Sequence, residues 1–256
     1  MIAAALAVLF AWGMAEAFGR GRRWPLLLAM VPLLGLLTWR GIQVRWVPFT
    51  NKYEAFLTFA VAVLGVAALR HPRLGRPGRL LLGAVATAFV ATPLAWDDAL
   101  HFPSPLLVTG WYAVHVPLSF VAYAFWLAAA ADGLDWSIGA RDTGAFLRNQ
   151  DTNVRTGLAT FSVAMIFGSI WGVVSWGAYF LWDPKILWSL AAWVAFGTFA
   201  HARFWSNAWT SRGRKRGGWP RVNPHRRASP SRAWSPRWGA RRARGSAPRR
   251  TGRSRR

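Results

Sequence analysis

The sequence contains no cysteine at any of its 256 positions. That absence excludes disulfides, thiol catalysis and thiolate ligands, so any metal or cofactor has to be held by histidine, by carboxylate or by packing. Charged residues are also scarce. They make up 16% of the chain, whereas a soluble domain carries roughly a quarter. The scarcity of charge argues against a soluble fold.

Hydrophobic residues make up 54% of the chain and are gathered in apolar runs. Several of these runs reach the ~20 residues that an α-helix needs to cross a bilayer. They predict an all-α, polytopic transmembrane bundle of about seven helices. The predicted helices cover residues 2–19, 24–39, 53–70, 80–96, 112–131, 157–176 and 187–204.

The basic residues of the short loops predict the orientation, because cytoplasmic loops carry an excess of lysine and arginine. With the N-terminus outside, ten basic residues fall in inside loops and four in outside loops. The first apolar run has no basic region before it, so we expect a retained helix and not a cleaved signal peptide. The chain is therefore predicted to be a multi-pass membrane protein, surrounded by lipid, with its N-terminus outside.

The composition changes abruptly after residue 204. Residues 205–256 contain 17 of the 32 basic residues and no acidic residue, and their few aliphatic side chains predict disorder. We divide the chain into a transmembrane domain, residues 1–204, and an arginine-rich tail, residues 205–256. Our leading interpretation of the tail is translation in a shifted reading frame, in which case its charge says nothing about partners, and we expect no nucleic-acid partner. The alternatives are a segment that binds anionic lipid and non-specific binding of nucleic acid.

Aromatic side chains are concentrated between residues 168 and 203. Gly177, Asp183 and Pro184 interrupt the two apolar helices there, and five tryptophans surround the interruption: Trp171, Trp176, Trp182, Trp188 and Trp193. Tryptophan favours the membrane interface, so an interfacial belt is one interpretation. A shallow platform for a flat aromatic ligand is the other. Sequence alone leaves both open.

The histidines add candidate ligands. His115 and His201 lie in or beside apolar helices, where an ionisable residue is a functional hypothesis by default. Neutral imidazole is a common axial ligand of haem iron. The alternative is a structural histidine that is hydrogen-bonded to a neighbouring helix. His71 and His101 lie in polar loops and are expected to be solvated, and His225 lies in the tail.

Three ordered segments resemble a known family. Residues 176–185 read WGAYFLWDPK and resemble the tryptophan-rich WWD motif of cytochrome c assembly proteins. The Asp-Pro-Lys ending is similar to the CcsA (ResC) branch. Residues 48–54, PFTNKYE, and residues 110–116, GWYAVHV, are similar to two further segments of that branch. The resemblance covers roughly residues 40–204.

The resemblance implies transport of haem across a bacterial inner membrane and its presentation to apocytochrome c during cytochrome c maturation. Haem would be bound transiently and as b-type haem, with the tryptophan-rich loop on the outer face. The implied partners are a CcsB (ResB)-like membrane subunit and apocytochrome c. Any haem lyase activity would belong to that complex, and no catalytic residue is implied in this chain.

The resemblance also implies site residues. By position, His115 matches an external haem ligand and His201 a transmembrane ligand nearer the inner side. The loop that packs against haem matches Trp171, Trp176, Gly177, Tyr179, Trp182, Asp183, Pro184 and Trp188. The family's usual Trp and Glu are replaced here by Phe180 and Ile186. Its second external histidine has no counterpart in this chain, so we expect weak external binding without a stable six-coordinate state.

Two other functions are alternatives to haem transport. A non-catalytic membrane scaffold would use the tryptophans as interfacial anchors and the histidines as structural residues, without binding haem. A small-solute transporter would need paired broken helices and polar residues in the middle of the bundle, and the sequence indicates neither. Gly168 and Gly172 are expected to allow close helix contact.

Overall fold

The computed structural model describes residues 1–139 and 142–215, with side chains up to residue 203. These residues form α-helices, short 3-10 helices and loops, without a β-strand. The helices are α1 (Ile2–Ala17), α2 (Trp24–Val44), α3 (Lys52–Arg70), α4 (Arg76–Ala91), α5 (Gly110–Ser137), α6 (Thr143–Trp176) and α7 (Pro184–Lys215). The predicted all-α bundle of about seven helices is confirmed.

Five helices, α2 to α6, are long and apolar enough to cross a membrane, and α1 is a shorter apolar helix. The prediction of a multi-pass membrane protein is therefore confirmed. Leucines supply much of the core that α1, α2, α3 and α4 share, since several of them are almost completely buried. These include Leu9, Leu26, Leu33, Leu57, Leu64 and Leu82.

Contacts between helix termini define two ends of the bundle. At one end, Tyr112 near the start of α5 donates to the Phe49 carbonyl before α3 (2.9 Å). We call this the tryptophan end, because it carries the loop 177–183. At the other end, Arg79 near the start of α4 reaches Glu16 near the end of α1. We call this the Glu16 end.

Glu16 is completely buried, although it belongs to an apolar helix. Its Oε1 lies 2.6 Å from Arg79 Nη2, and its Oε2 lies 3.4 Å from His71 Nε2. The prediction that His71 is solvated is therefore wrong. A short 3-10 helix, His71–Arg73, follows α3 and places the ring against Glu16. His101, by contrast, is exposed as predicted.

Helices α5 and α6 extend further than the apolar runs predicted. The apolar runs predict that α5 ends at residue 131 and that α6 begins at residue 157. Asp132 and Asn153, just outside those bounds, are instead buried within the helices, and Asn153 donates to Asp132 (2.6 Å). The buried carboxylate of Asp135 accepts backbone N–H groups from Gly75 (2.5 Å) and Gly78 (2.7 Å). Asp135 of α5 thus caps the N-terminus of α4.

The chain divides into two compact units, Met1–Thr210 and Ser211–Arg256. The second unit is described only as backbone and only to Lys215, where α7 ends. Residues 205–215 of the predicted tail are helical and belong to α7, and the remainder, with His225, lies outside the described residues. Its disorder and its division from the transmembrane domain stay predictions.

Candidate functional site

The imidazole of His115 is held in one tautomer by the backbone of α6. Its Nδ1 lies 2.7 Å from the carbonyl oxygen of Ala164. Because a carbonyl can only accept, Nδ1 carries the proton and donates it, which leaves the lone pair on Nε2. This is the usual arrangement of a metal-ligating histidine, whose second nitrogen is anchored by a carbonyl or carboxylate.

One face of α6 supports this ring. Ala164, Gly168 and Trp171 lie at helical spacing, and all three contact His115. A Cβ at position 168 would lie 2.7 Å from both Cε1 and Nδ1 of the imidazole, so the ring occupies the space that a side chain would fill. The Trp171 ring stacks beside it at 6.0 Å between centroids and 26° between planes.

Trp171 is at the centre of a group of rings that we call the aromatic cluster, namely Tyr112, His115, Trp171 and Trp176. Its indole lies 5.1 Å from the Tyr112 ring and meets Trp176 edge-on at 4.6 Å. Its Nε1 donates to the Leu106 carbonyl (2.8 Å), which fixes the plane of the indole. The structure thus brings Trp171 and Trp176 together with His115.

The loop 177–183 follows directly from these rings. Gly177 ends α6 in the left-handed region (φ +72°), a conformation that glycine adopts without strain. Asp183 accepts the N–H of Lys185 (2.8 Å), and Pro184 begins α7. The sequence therefore places its turn residues where the chain reverses.

Several aromatic side chains are exposed in this loop and in the first turns of α7. Tyr179 is 71% exposed, Trp182 84% and Trp188 77%, and Phe180 meets Trp182 edge-on at 5.4 Å. Exposed apolar surface of this kind marks an interaction site or a membrane contact. Trp193 is different, since its Nε1 donates to Ser162 Oγ (2.8 Å) and ties α7 to α6.

His201 lies further from the tryptophan end of the bundle than His115 does. Phe196 of α7 stacks on Trp126 of α5, with 4.1 Å between centroids. Trp126 lies eleven residues beyond His115 on α5, or about 16 Å along the helix. His201 lies still further along α7, and its side chain is exposed. The two histidines therefore belong to separate places and do not share one metal.

Among the residues that the structure describes, no group of three or more His, Asp or Glu side chains could hold a metal ion. A metal at His115 would therefore have to arrive with its own equatorial ligands. Haem does so, and it requires from the protein one or two axial ligands and apolar walls. The donor atom and the aromatic neighbours of His115 fit that requirement.

Sequence reasoning missed the groups that orient His115. The Ala164 carbonyl is a backbone atom and leaves no mark in a sequence. Gly168 was assigned to helix contact, whereas its missing side chain makes room for the imidazole. The spacing of residues 164, 168 and 171 on one helical face is the signal that could have identified them.

Comparison with known proteins gives consistent matches. Residues 25–215 match the family model described as cytochrome C assembly protein. A cytochrome c biogenesis protein CcsA from Heterosigma akashiwo is 23% identical over 224 residues, covering 68% of this chain and 70% of the relative. The CcsA protein of Synechococcus sp. strain CC9902 is 25% identical over 234 residues, covering 72% and 75%. That of Synechococcus elongatus is 23% identical over 247 residues, covering 72% and 74%.

Proposed function

The chain belongs to the cytochrome c assembly protein family and acts in cytochrome c biogenesis, and from this premise we propose that it transports haem and presents it to apocytochrome c. Haem is its cargo and is bound transiently as b-type haem. The tryptophan end of the bundle faces the outside of a bacterial inner membrane in this proposal, and the partner is a CcsB-like subunit. No residue of the chain is assigned a catalytic role.

The observation that carries the proposal is the tautomer of His115. Its Nδ1–H is donated to Ala164, so Nε2 is free to bind iron as an axial ligand. Haem is flat and largely apolar, and the exposed rings of Tyr179, Trp182 and Trp188 offer it aromatic surface. His201, which lies apart from His115, is proposed to bind haem at a separate position on the inner part of the haem path.

Titration of the purified full chain with haem tests the proposal. We expect saturable binding with a shifted Soret band, because the iron gains a nitrogen ligand. Metal-free protoporphyrin is the matched control, since it offers the same flat ring without iron and should bind more weakly. A scaffold whose tryptophans are only interfacial would bind neither molecule saturably, and that result would contradict the proposal.

Replacement of Gly168 by alanine is expected to weaken haem binding by about ten-fold, the lower part of the range for disturbing a group that orients a metal ligand. The added methyl group would lie 2.7 Å from the His115 ring and push it away from Ala164. Absorbance titration measures the affinity. Gly133→Ala in α5 is the control, because a Cβ there meets nothing within 4 Å. Equal affinities in the two variants would contradict the assignment.

A further inference from the structure

Residues 96–109, which we call the strap, cross the tryptophan end of the bundle between α4 and α5. None of the strap side chains is buried, and Phe102 is largely exposed. At its start, the Trp96 ring meets Phe56 edge-on at 5.4 Å. Beyond Trp96, the position of the strap depends mainly on hydrogen bonds that other residues make to its backbone.

The first of these bonds come from Arg40 at the end of α2. Arg40 is 2% exposed, and its Nη1 and Nη2 donate to the carbonyls of Asp98 (2.7 Å) and Ala99 (3.0 Å). Its Nε lies 2.9 Å from Oε1 of Glu54, which is completely buried. The planar guanidinium thus bonds in three directions, as its fork of donors allows.

The other end of the strap is bonded to the site. The Leu106 carbonyl accepts from Trp171 Nε1 (2.8 Å) and from Ser175 Oγ (2.9 Å). The Leu107 carbonyl accepts from Trp46 Nε1 (3.0 Å). The strap therefore connects the Arg40–Glu54 ion pair with the indole that stacks on His115.

A buried ion pair is in itself weak evidence of stabilisation, because apolar residues of similar volume often serve as well. An apolar pair, however, could not bond two adjacent carbonyls of the strap. The contacts of Arg40 are therefore better explained by the placement of the strap than by the stability of α2 and α3.

We propose that Arg40 and Glu54 are positioning residues for the His115 site. They fix the strap, the strap fixes the plane of Trp171, and Trp171 supports the imidazole in the orientation that Ala164 and Gly168 allow. The inference rests on the proposed function only for the identity of the ligand, since the connection exists without haem.

Arg40→Lys in the full chain tests this inference. Lysine keeps a positive charge beside Glu54, but its single ammonium nitrogen lacks the planar fork that places three nitrogens against Glu54 and the two carbonyls. The chain is labelled with 5-fluorotryptophan, and the Trp171 resonance in the ¹⁹F spectrum is assigned with Trp171→Phe. We expect that resonance to shift or broaden in Arg40→Lys, and haem affinity to fall about ten-fold. The exposed Arg45→Gln, at the same end of α2, should change neither.

Trp126, in the other half of α5, is the internal control for general loss of packing. Its resonance should stay in place, and equal changes at Trp126 and Trp171 would overturn the inference. So would a Trp171 resonance unchanged in Arg40→Lys. Glu54→Gln, with the same expectation, is used if Arg40→Lys does not fold. If the wild-type chain binds no haem, the proposed function fails, while the fluorine spectra still decide the positioning role.

Discussion

Replacing His115 by alanine is expected to abolish haem ligation at the tryptophan end of the bundle while the fold is retained. The imidazole is the only ring of the aromatic cluster with a nitrogen that can bind iron, and Ala164 holds that nitrogen's lone pair ready on Nε2. Without it, haem could only stack on the exposed aromatic residues. We expect the Soret shift to disappear in the titration and the remaining affinity to match that for metal-free protoporphyrin.

The matched control is His101→Ala. His101 is exposed on the strap, at the same end of the bundle, and its ring contacts only the nearby Ala99 carbonyl among the bonds of the described residues. Its removal should leave the haem spectrum unchanged. If His115→Ala kept the shifted Soret band and His201→Ala lost it, His201 and not His115 would be the ligand of the haem iron.

Replacing Arg79 by methionine is expected to lower the free energy of unfolding by about 3 kcal/mol, the lower end of the range for removing one partner of a buried ion pair. The completely buried Glu16 would lose its bonds from Nε (2.7 Å) and Nη2 (2.6 Å) of Arg79. The side chain of Arg79 is itself partly exposed, which is why the lower end applies. Unfolding of the detergent-solubilised chain by added sodium dodecyl sulfate measures the change.

Two further variants isolate the cause. Arg76→Met removes an exposed arginine from the same helix and should have little effect. The double variant Glu16→Met and Arg79→Met removes both charges, and it should be more stable than Arg79→Met alone, because no unpaired charge stays buried. A double variant as unstable as the single one would contradict the explanation.

The sequence predicted the helices well where apolar residues run without interruption, as in α2 to α4. It failed where polar residues are buried in pairs. Asp132 and Asn153 lie just outside the predicted membrane spans, but Asn153 donates to Asp132 across α5 and α6. His71 looked solvated because its partner, Glu16, belongs to a distant part of the chain. Hydropathy registers the polarity of a residue and not the partner that neutralises it.

The candidate site was likewise predictable only where its features depend on local sequence. The turn residues Gly177, Asp183 and Pro184 act locally, so their positions followed from the sequence. The orientation of His115 depends on a backbone carbonyl and on the space above Gly168, both on another helix. The Arg40–Glu54 pair needed the path of the strap to be known. Long-range contacts of this kind are visible only in the folded chain.

The cap of α4 has a consequence for the biosynthesis of the protein. The N–H groups of Gly75 and Gly78 are bonded by a carboxylate that follows them by 60 and 57 residues. Backbone groups without a partner are costly near lipid. We therefore expect the first turn of α4 to be completed only when α5 has docked, and a nascent chain stopped before residue 135 to leave the start of α4 accessible to proteases.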